Sequence, residues 1–126
     1  MHRTYVGPSG NREATLAGCG EQPDQWEVRQ GKPFIGPAGQ GLDECLKMTR
    51  IARLDMYLTN VIKDLDKPLT HYINLSSQGK WTISPEGYQY IQELGDELKA
   101  LNLNTIVAFG NIPLIALTNR IGITKW

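Results

Sequence analysis

Leu42, Cys45, Leu46 and Thr49 recur at offsets of three, four and seven, the spacing of one helical face. Met56-Tyr57-Leu58-Thr59 is a short apolar run that reads as a buried strand, leading through Asn60-Val61-Ile62-Lys63 into a loop. Ile91, Leu94, Leu98 and Leu101 lie on one face of a second helix. Its start is marked by Ser84-Pro85-Glu86: a capping hydroxyl, a proline whose missing N–H costs nothing there, and an acid at the positive helix end. Residues 105–109 form the clearest strand pattern, broken by Gly110-Asn111. A third helix is expected from Pro113 to Arg120, with Gly122 as its C-terminal cap. Residues 3–6 read as a first strand that breaks at Gly7-Pro8-Ser9-Gly10. From there to Gly39 no period is visible, and a loop that long in a compact domain is expected to be either functional or disordered. The stretch from Asp64 to Gly79 reads as an irregular excursion.

Strands alternating with helices imply a three-layer α/β/α domain over residues 1–126, built on a parallel central sheet. Such sheets bind ligands beyond the carboxyl ends of their strands. The loop after Val6, the loop after Thr59 and the turn after Phe109 are expected at that edge.

Composition narrows this only a little. The chain has 126 residues, of which 40% are apolar and 21% charged, the balance of an ordinary globular domain. No apolar run approaches the ~20 residues of a membrane span, so no membrane partner is expected and a cytoplasmic location is the default. Thirteen basic side chains cancel thirteen acidic ones, and a zero total argues neither for nor against nucleic acid. Cys45 occupies an apolar helix position and reads as a small core residue, while Cys19, between two glycines, reads as an exposed loop thiol. Two lone thiols suit a reducing compartment.

Residues 7–15 imitate a phosphate-binding loop. That loop needs lysine and a hydroxyl residue after its last glycine, and here Arg12, Glu13 and Ala14 stand instead. An acid there repels phosphate.

A second set of residues has more to say. Tyr5-Val6-Gly7 ends the expected first strand; Gln30-Gly31-Lys32-Pro33-Phe34-Ile35-Gly36-Pro37-Ala38-Gly39 precedes a helix; Tyr57-Leu58-Thr59-Asn60-Val61-Ile62-Lys63 spans the second strand and its exit. Chemically, Phe34 offers a flat face and Asn60 an acceptor with two donors. Gly36 and Gly39 allow close backbone approach. Taken singly these are also a core plug, a turn residue and a turn. In order and spacing they resemble the uracil-DNA glycosylase superfamily, especially its bacterial and phage branch that usually carries an iron–sulfur cluster. That branch reads Q-G-x-P-F-x-G-x-A-G and then Y-x-T-N-V-x-K. Residues 107–110 and the closing Ile123-Thr124-Lys125-Trp126 also look like it.

The resemblance implies that Phe34 stacks on a base and Asn60 reads its edge, with Gly7, Pro8 and Gly39 contributing backbone to the pocket. The base would be uracil or a related deaminated base in DNA, released when water attacks the sugar carbon. The family's first motif, G-E-A-P-G, carries a polar side chain that positions water. Ungapped alignment puts Pro8 in the acid's place, so Asn11 is ranked first as its substitute, with Ser9 and Glu13 behind it. The cluster cysteines are missing as well. The one expected after N-V-x-K is Asp64, so no iron–sulfur centre, metal or other cofactor is expected. The family continues past the position of Trp126 with a strand and a histidine-bearing loop. Neither His2 nor His71 stands there, so the fold is expected to be incomplete at its C-terminal end. The degraded first motif leaves a rival: a catalytically silent glycosylase-like module that binds DNA or protein, as part of a phage replication protein.

Overall fold

The computed structural model describes residues 3–118. A short β1 (Ser9–Gly10) is followed by β2 (Leu16–Gly20), α1 (Gln25–Gln30), α2 (Pro37–Lys47), a single 3₁₀ turn (Arg53–Asp55) and β3 (Tyr57–Asn60). Then come α3 (Leu69–Tyr72), β4 (Ile73–Leu75), β5 (Trp81–Ile83), α4 (Pro85–Lys99), β6 (Thr105–Ala108) and α5 (Asn111–Leu117). The main sheet has the order β1-β3-β2-β6, with β3, β2 and β6 parallel and β1 antiparallel at one side. A separate hairpin pairs β4 with β5.

Alternation along the strands sends side chains into two cores. Ala17, Cys19 and Tyr57 pack with Tyr90, Ile91, Leu94 and Leu98 of α4 and with Ile112 and Ala116 of α5. On the other face Met56, Leu58 and the partly buried Leu16 meet Phe34 and Leu42. Helices therefore cover both faces of a mostly parallel sheet, the expected α/β arrangement. α4 begins where expected: Ser84 accepts a hydrogen bond from the Gly87 N–H at 3.1 Å. The expected end of the third helix at Arg120 and its cap at Gly122 lie outside the described residues, as do His2 and residues 123–126.

Three expectations are corrected. Residues 3–6 form no strand; they are tied down by Val6 N–H to the Lys63 carbonyl at 2.7 Å and by Thr4, whose hydroxyl donates to Asp66 at 2.6 Å. The first parallel strand is β2, inside the stretch that reads as loop. Its small residues conceal it, and crowding is the reason they are small. A Cβ on Gly18 would meet Leu58 at 3.0 Å and Phe109 at 3.2 Å. The stretch from Asp64 to Gly79 contains α3 and the first strand of the hairpin, whose turn uses Gly79 at φ 78°. The strand after Gly10 also disposes of the phosphate-loop mimic, which needs a helix there.

The cysteines exchange roles. Cys19 is sealed in β2, while Cys45 is exposed on α2. Burial first, with the Glu97 charge adding and Lys63 opposing, pushes the Cys19 thiol from 9.0 up to about 12. A thiol reagent at about pH 8 is expected to label Cys45 at once and Cys19 only on unfolding, because the thiolate is the reactive species. Equal labelling rates would mean that β2 is not the core strand. The Cys19 contribution to stability is complete below the unfolded thiol's value and drains away as pH rises toward 12.

Candidate functional site

Parallel pairing brings three strand ends to one edge. Gly20 at the end of β2 stands opposite Asn60 at the end of β3, and Cys19 stands opposite Ala108, one residue before Phe109. A cavity of about 110 Å³ opens there, lined by Gly20, Glu21, Gln22, Glu27, Phe34, Asn60 and Phe109. That is the scale of one small ring, well below the ~300 Å³ of a drug-sized pocket.

Phe34 is 2% exposed and leans edge-on against Phe109, ring centres 5.4 Å apart at 66°. Its backbone sits at φ 59°, a conformation bulky residues avoid, so its surroundings must hold it there. Two side chains do so. Glu27 accepts N–H hydrogen bonds from Ile35 at 2.9 Å and Gly36 at 3.3 Å, just past the ring. Arg53 donates to the Phe34 carbonyl, and to that of Pro33 at 3.2 Å, while pairing with Asp43 at 3.1 Å. Glu27 also closes a capping box with Asp24 at the start of α1. Gly39 matters through its missing Cβ, which would collide with the Phe34 carbonyl.

Asn60 is 5% exposed, and among the described residues its carboxamide makes no hydrogen bond. Its backbone carbonyl is occupied: Lys63 Nζ donates to it at 2.8 Å, and the same ammonium pairs with Glu97 at 2.8 Å. The Tyr57 hydroxyl completes that group by donating to Glu97 at 2.5 Å. The main chain of Asn60 is thus held in place while its carboxamide faces the cavity.

Between ring and carboxamide lies Gly20. A Cβ there would strike Asn60 Oδ1 and press within 3.0 Å of the Phe34 ring. Gly20→Ala is therefore expected to push the two apart, lowering affinity for the pocket's ligand at least tenfold, with the melting temperature changed far less. Ligand titration beside a thermal melt checks this; unchanged affinity would mean the cavity is unused.

The other expected residues lie elsewhere. Ser9 pairs with Leu58, and the Asn11 N–H donates to the Met56 carbonyl at 3.0 Å, before β3 begins. β3 runs from there toward Asn60, so Asn11 and Ser9 lie toward the opposite end of the strand. The Asn11 side chain is spent on the Glu13 N–H at 2.9 Å, as a turn former. Pro8 lines a different cavity, with Tyr5, Arg12 and Lys63, and Gly7 lies beside it in the chain. None of residues 7, 8, 9 and 11 lines this cavity; the strand that enters it is β2, which comes later in the chain.

β2 runs out through Gly20-Glu21-Gln22-Pro23, which carries the G-E-x-P letters of the family's first motif. The Glu21 carboxylate lines the cavity and lies 3.5 Å from the Ile112 N–H, in the first turn of α5. Gln22 turns away and donates to the carbonyls of Asp64 at 3.0 Å and Lys67 at 2.9 Å. The motif is present in the letters; the strand before it is the clue that periodicity does not reveal. A larger groove of about 520 Å³ beside β6 and α5 is lined mainly by aliphatic side chains and brings together no such set of groups.

The fold and this strand-end pocket define an α/β domain with a small site at the carboxyl edge of its parallel strands, and the sequence comparisons give its family. The chain matches the model of the uracil DNA glycosylase superfamily over residues 8–125, and it belongs to that superfamily. Among individual relatives it is 41% identical over 66 residues to a type-4 uracil-DNA glycosylase of Archaeoglobus fulgidus, covering 50% of this chain and 33% of the relative. The type-4 enzyme of Thermotoga maritima is 41% identical over 64 residues, with 50% and 33% covered. That of Pyrobaculum aerophilum is 46% identical over 44 residues, with 35% and 22% covered. The matched part of the chain thus spans about a third or less of these relatives.

An iron–sulfur cluster of the four-thiolate kind does not fit the residues of this chain. Its two cysteines lie on different elements, Cys19 sealed in β2 and Cys45 exposed on α2. No helix among the described residues is long and apolar enough to cross a membrane.

Proposed function

We propose that this chain forms the base-recognition part of a uracil-DNA glycosylase, receiving a uracil or related deaminated base flipped out of DNA. The observation that carries the reading is the open carboxamide of Asn60 beside the Phe34 ring in one small cavity. Asn60 Nδ2 donates to the base O4 while Oδ1 accepts from N3–H, a pairing that cytosine cannot reproduce. Phe34 takes the base face. Glu21, in the place the family gives its acid, orients a water toward the sugar carbon. As that water bonds to the carbon and passes a proton to the Glu21 carboxylate, the N-glycosidic bond breaks and its electron pair leaves with the base.

The rival reading, a silent binding module, drew on Pro8 standing where the acid belongs. With Glu21 on the cavity wall that ground is gone. The test is titration of single-stranded oligonucleotides carrying one uracil, or cytosine in its place, followed by assay for released base. Tighter binding of the uracil strand is expected; equal binding of both strands would sink the proposal.

A further inference from the structure

Where the family's cluster-bearing branch has a cysteine after its N-V-x-K segment, this chain buries a carboxylate. Asp64 is fully buried, and the hydroxyls of Tyr72, at the end of α3, and Tyr90, in α4, both donate to it. The Asp66 N–H adds a third hydrogen bond at 3.0 Å. The two rings meet edge to face, 5.7 Å apart at 82°. A carboxylate taken from water is strongly penalised unless its lone pairs are met, and two hydroxyls with an N–H meet most of them. Both tyrosines are pushed up out of the range where they ionise, by burial first and by their hydrogen bonds to Asp64 next. They remain donors.

What this group grips is the far end of the Asn60 segment. Between Asn60 and Asp64 the chain runs alongside the Glu21 segment, with Val61 N–H donating to the Gly20 carbonyl and Ile62 N–H to that of Glu21, both at 2.9 Å. Gln22 reaches across to the Asp64 carbonyl. One strap thus joins Gly20, Glu21, Gln22 and Asn60, and its end is fixed to two helices through Asp64.

We propose that Asp64, Tyr72 and Tyr90 form a metal-free staple that positions the Asn60 carboxamide, replacing cluster thiolates by a hydrogen-bonded carboxylate. They are positioning residues and touch no base. The importance of Asn60 rests on the function proposed above, whereas the geometry of the staple does not.

The test uses Tyr72→Phe, Tyr90→Phe and the double variant, which keep the rings and remove only the hydroxyls. Each single change is expected to lower the melting temperature by roughly 4 °C or more, the effect of one lost hydrogen bond to a charged group. In ¹H–¹⁵N spectra without DNA, the double variant is expected to move the Asn60 side-chain amide and the Val61 and Ile62 amides. Those of Leu42 and Leu46 on α2 should stay. A lower melting temperature with unmoved Asn60, Val61 and Ile62 signals overturns the proposal, leaving a mere core contact. If the double variant does not fold, the single variants carry the same comparison. Iron and sulfide supplied anaerobically should be neither taken up nor stabilising; uptake with a raised melting temperature overturns the metal-free staple. A wild-type chain showing no preference for uracil defeats the base-recognition reading alone, because the spectra are read without DNA.

Discussion

Asn60→Ala is expected to weaken binding of a uracil-bearing strand by roughly 10- to 100-fold, the ~1–3 kcal/mol of a two-point base contact. The melting temperature should hardly change. This split comes from the geometry: the carboxamide makes no hydrogen bond among the described residues, so its removal breaks nothing internal. An asparagine acting only as a turn former or cap would give the reverse, a loss of stability with no change in binding. Asn60→Asp sharpens the test. It keeps the shape but replaces both donors by an acceptor, so the uracil O4 faces a repelling oxygen, while the cytosine amine finds a partner. Titration of uracil and cytosine strands should show the preference shrinking or reversing. An unchanged preference would remove Asn60 from recognition.

Phe34→Ala is expected to cost about 3–5 kcal/mol of folding stability, the usual loss for a buried aromatic ring, and to abolish measurable uracil preference. The ring is 2% exposed, packed with Leu42, Met56 and Leu58, and set edge-on against Phe109. Against a typical total of about 5–15 kcal/mol, that loss is large. Phe34→Leu separates core filling from stacking. It restores most of the apolar volume and should recover most of the stability, but offers no flat face to a base. The expected result is a nearly native denaturation midpoint with binding still impaired. A Phe34→Leu chain that binds uracil like the wild type would make the ring a core plug and nothing more.

The sequence was most legible where chemistry and periodicity coincide. Ser84-Pro85-Glu86 announces α4 by capping alone, and the apolar run at 56–59 announces β3 within a residue. Phe34 and Asn60 stood out because few residue types supply a flat face and a two-way polar edge. β2 stayed hidden because its neighbours, not its own preferences, dictate its residues: Gly18 and Gly20 leave room for Leu58, Phe109, Phe34 and Asn60. Without that strand the first motif falls on Gly7 and Pro8, and the water-orienting role on Asn11. Glu21 was in plain view, without its strand. Cys19 follows the same rule: a thiol between glycines belongs to a loop unless the glycines belong to a core, as they do here.

Glu27 binds two structures that are weak alone. A helix of six residues such as α1 is too short to hold itself, and a phenylalanine at φ 59° relaxes when released. Because one carboxylate caps the first and tethers the second, neither can loosen without the other. Thermal opening near this edge is then a joint event, in which the aromatic wall is lost together with the first turn of its supporting helix. The cavity beside Phe34 is then expected to open and close as a unit with the start of α1.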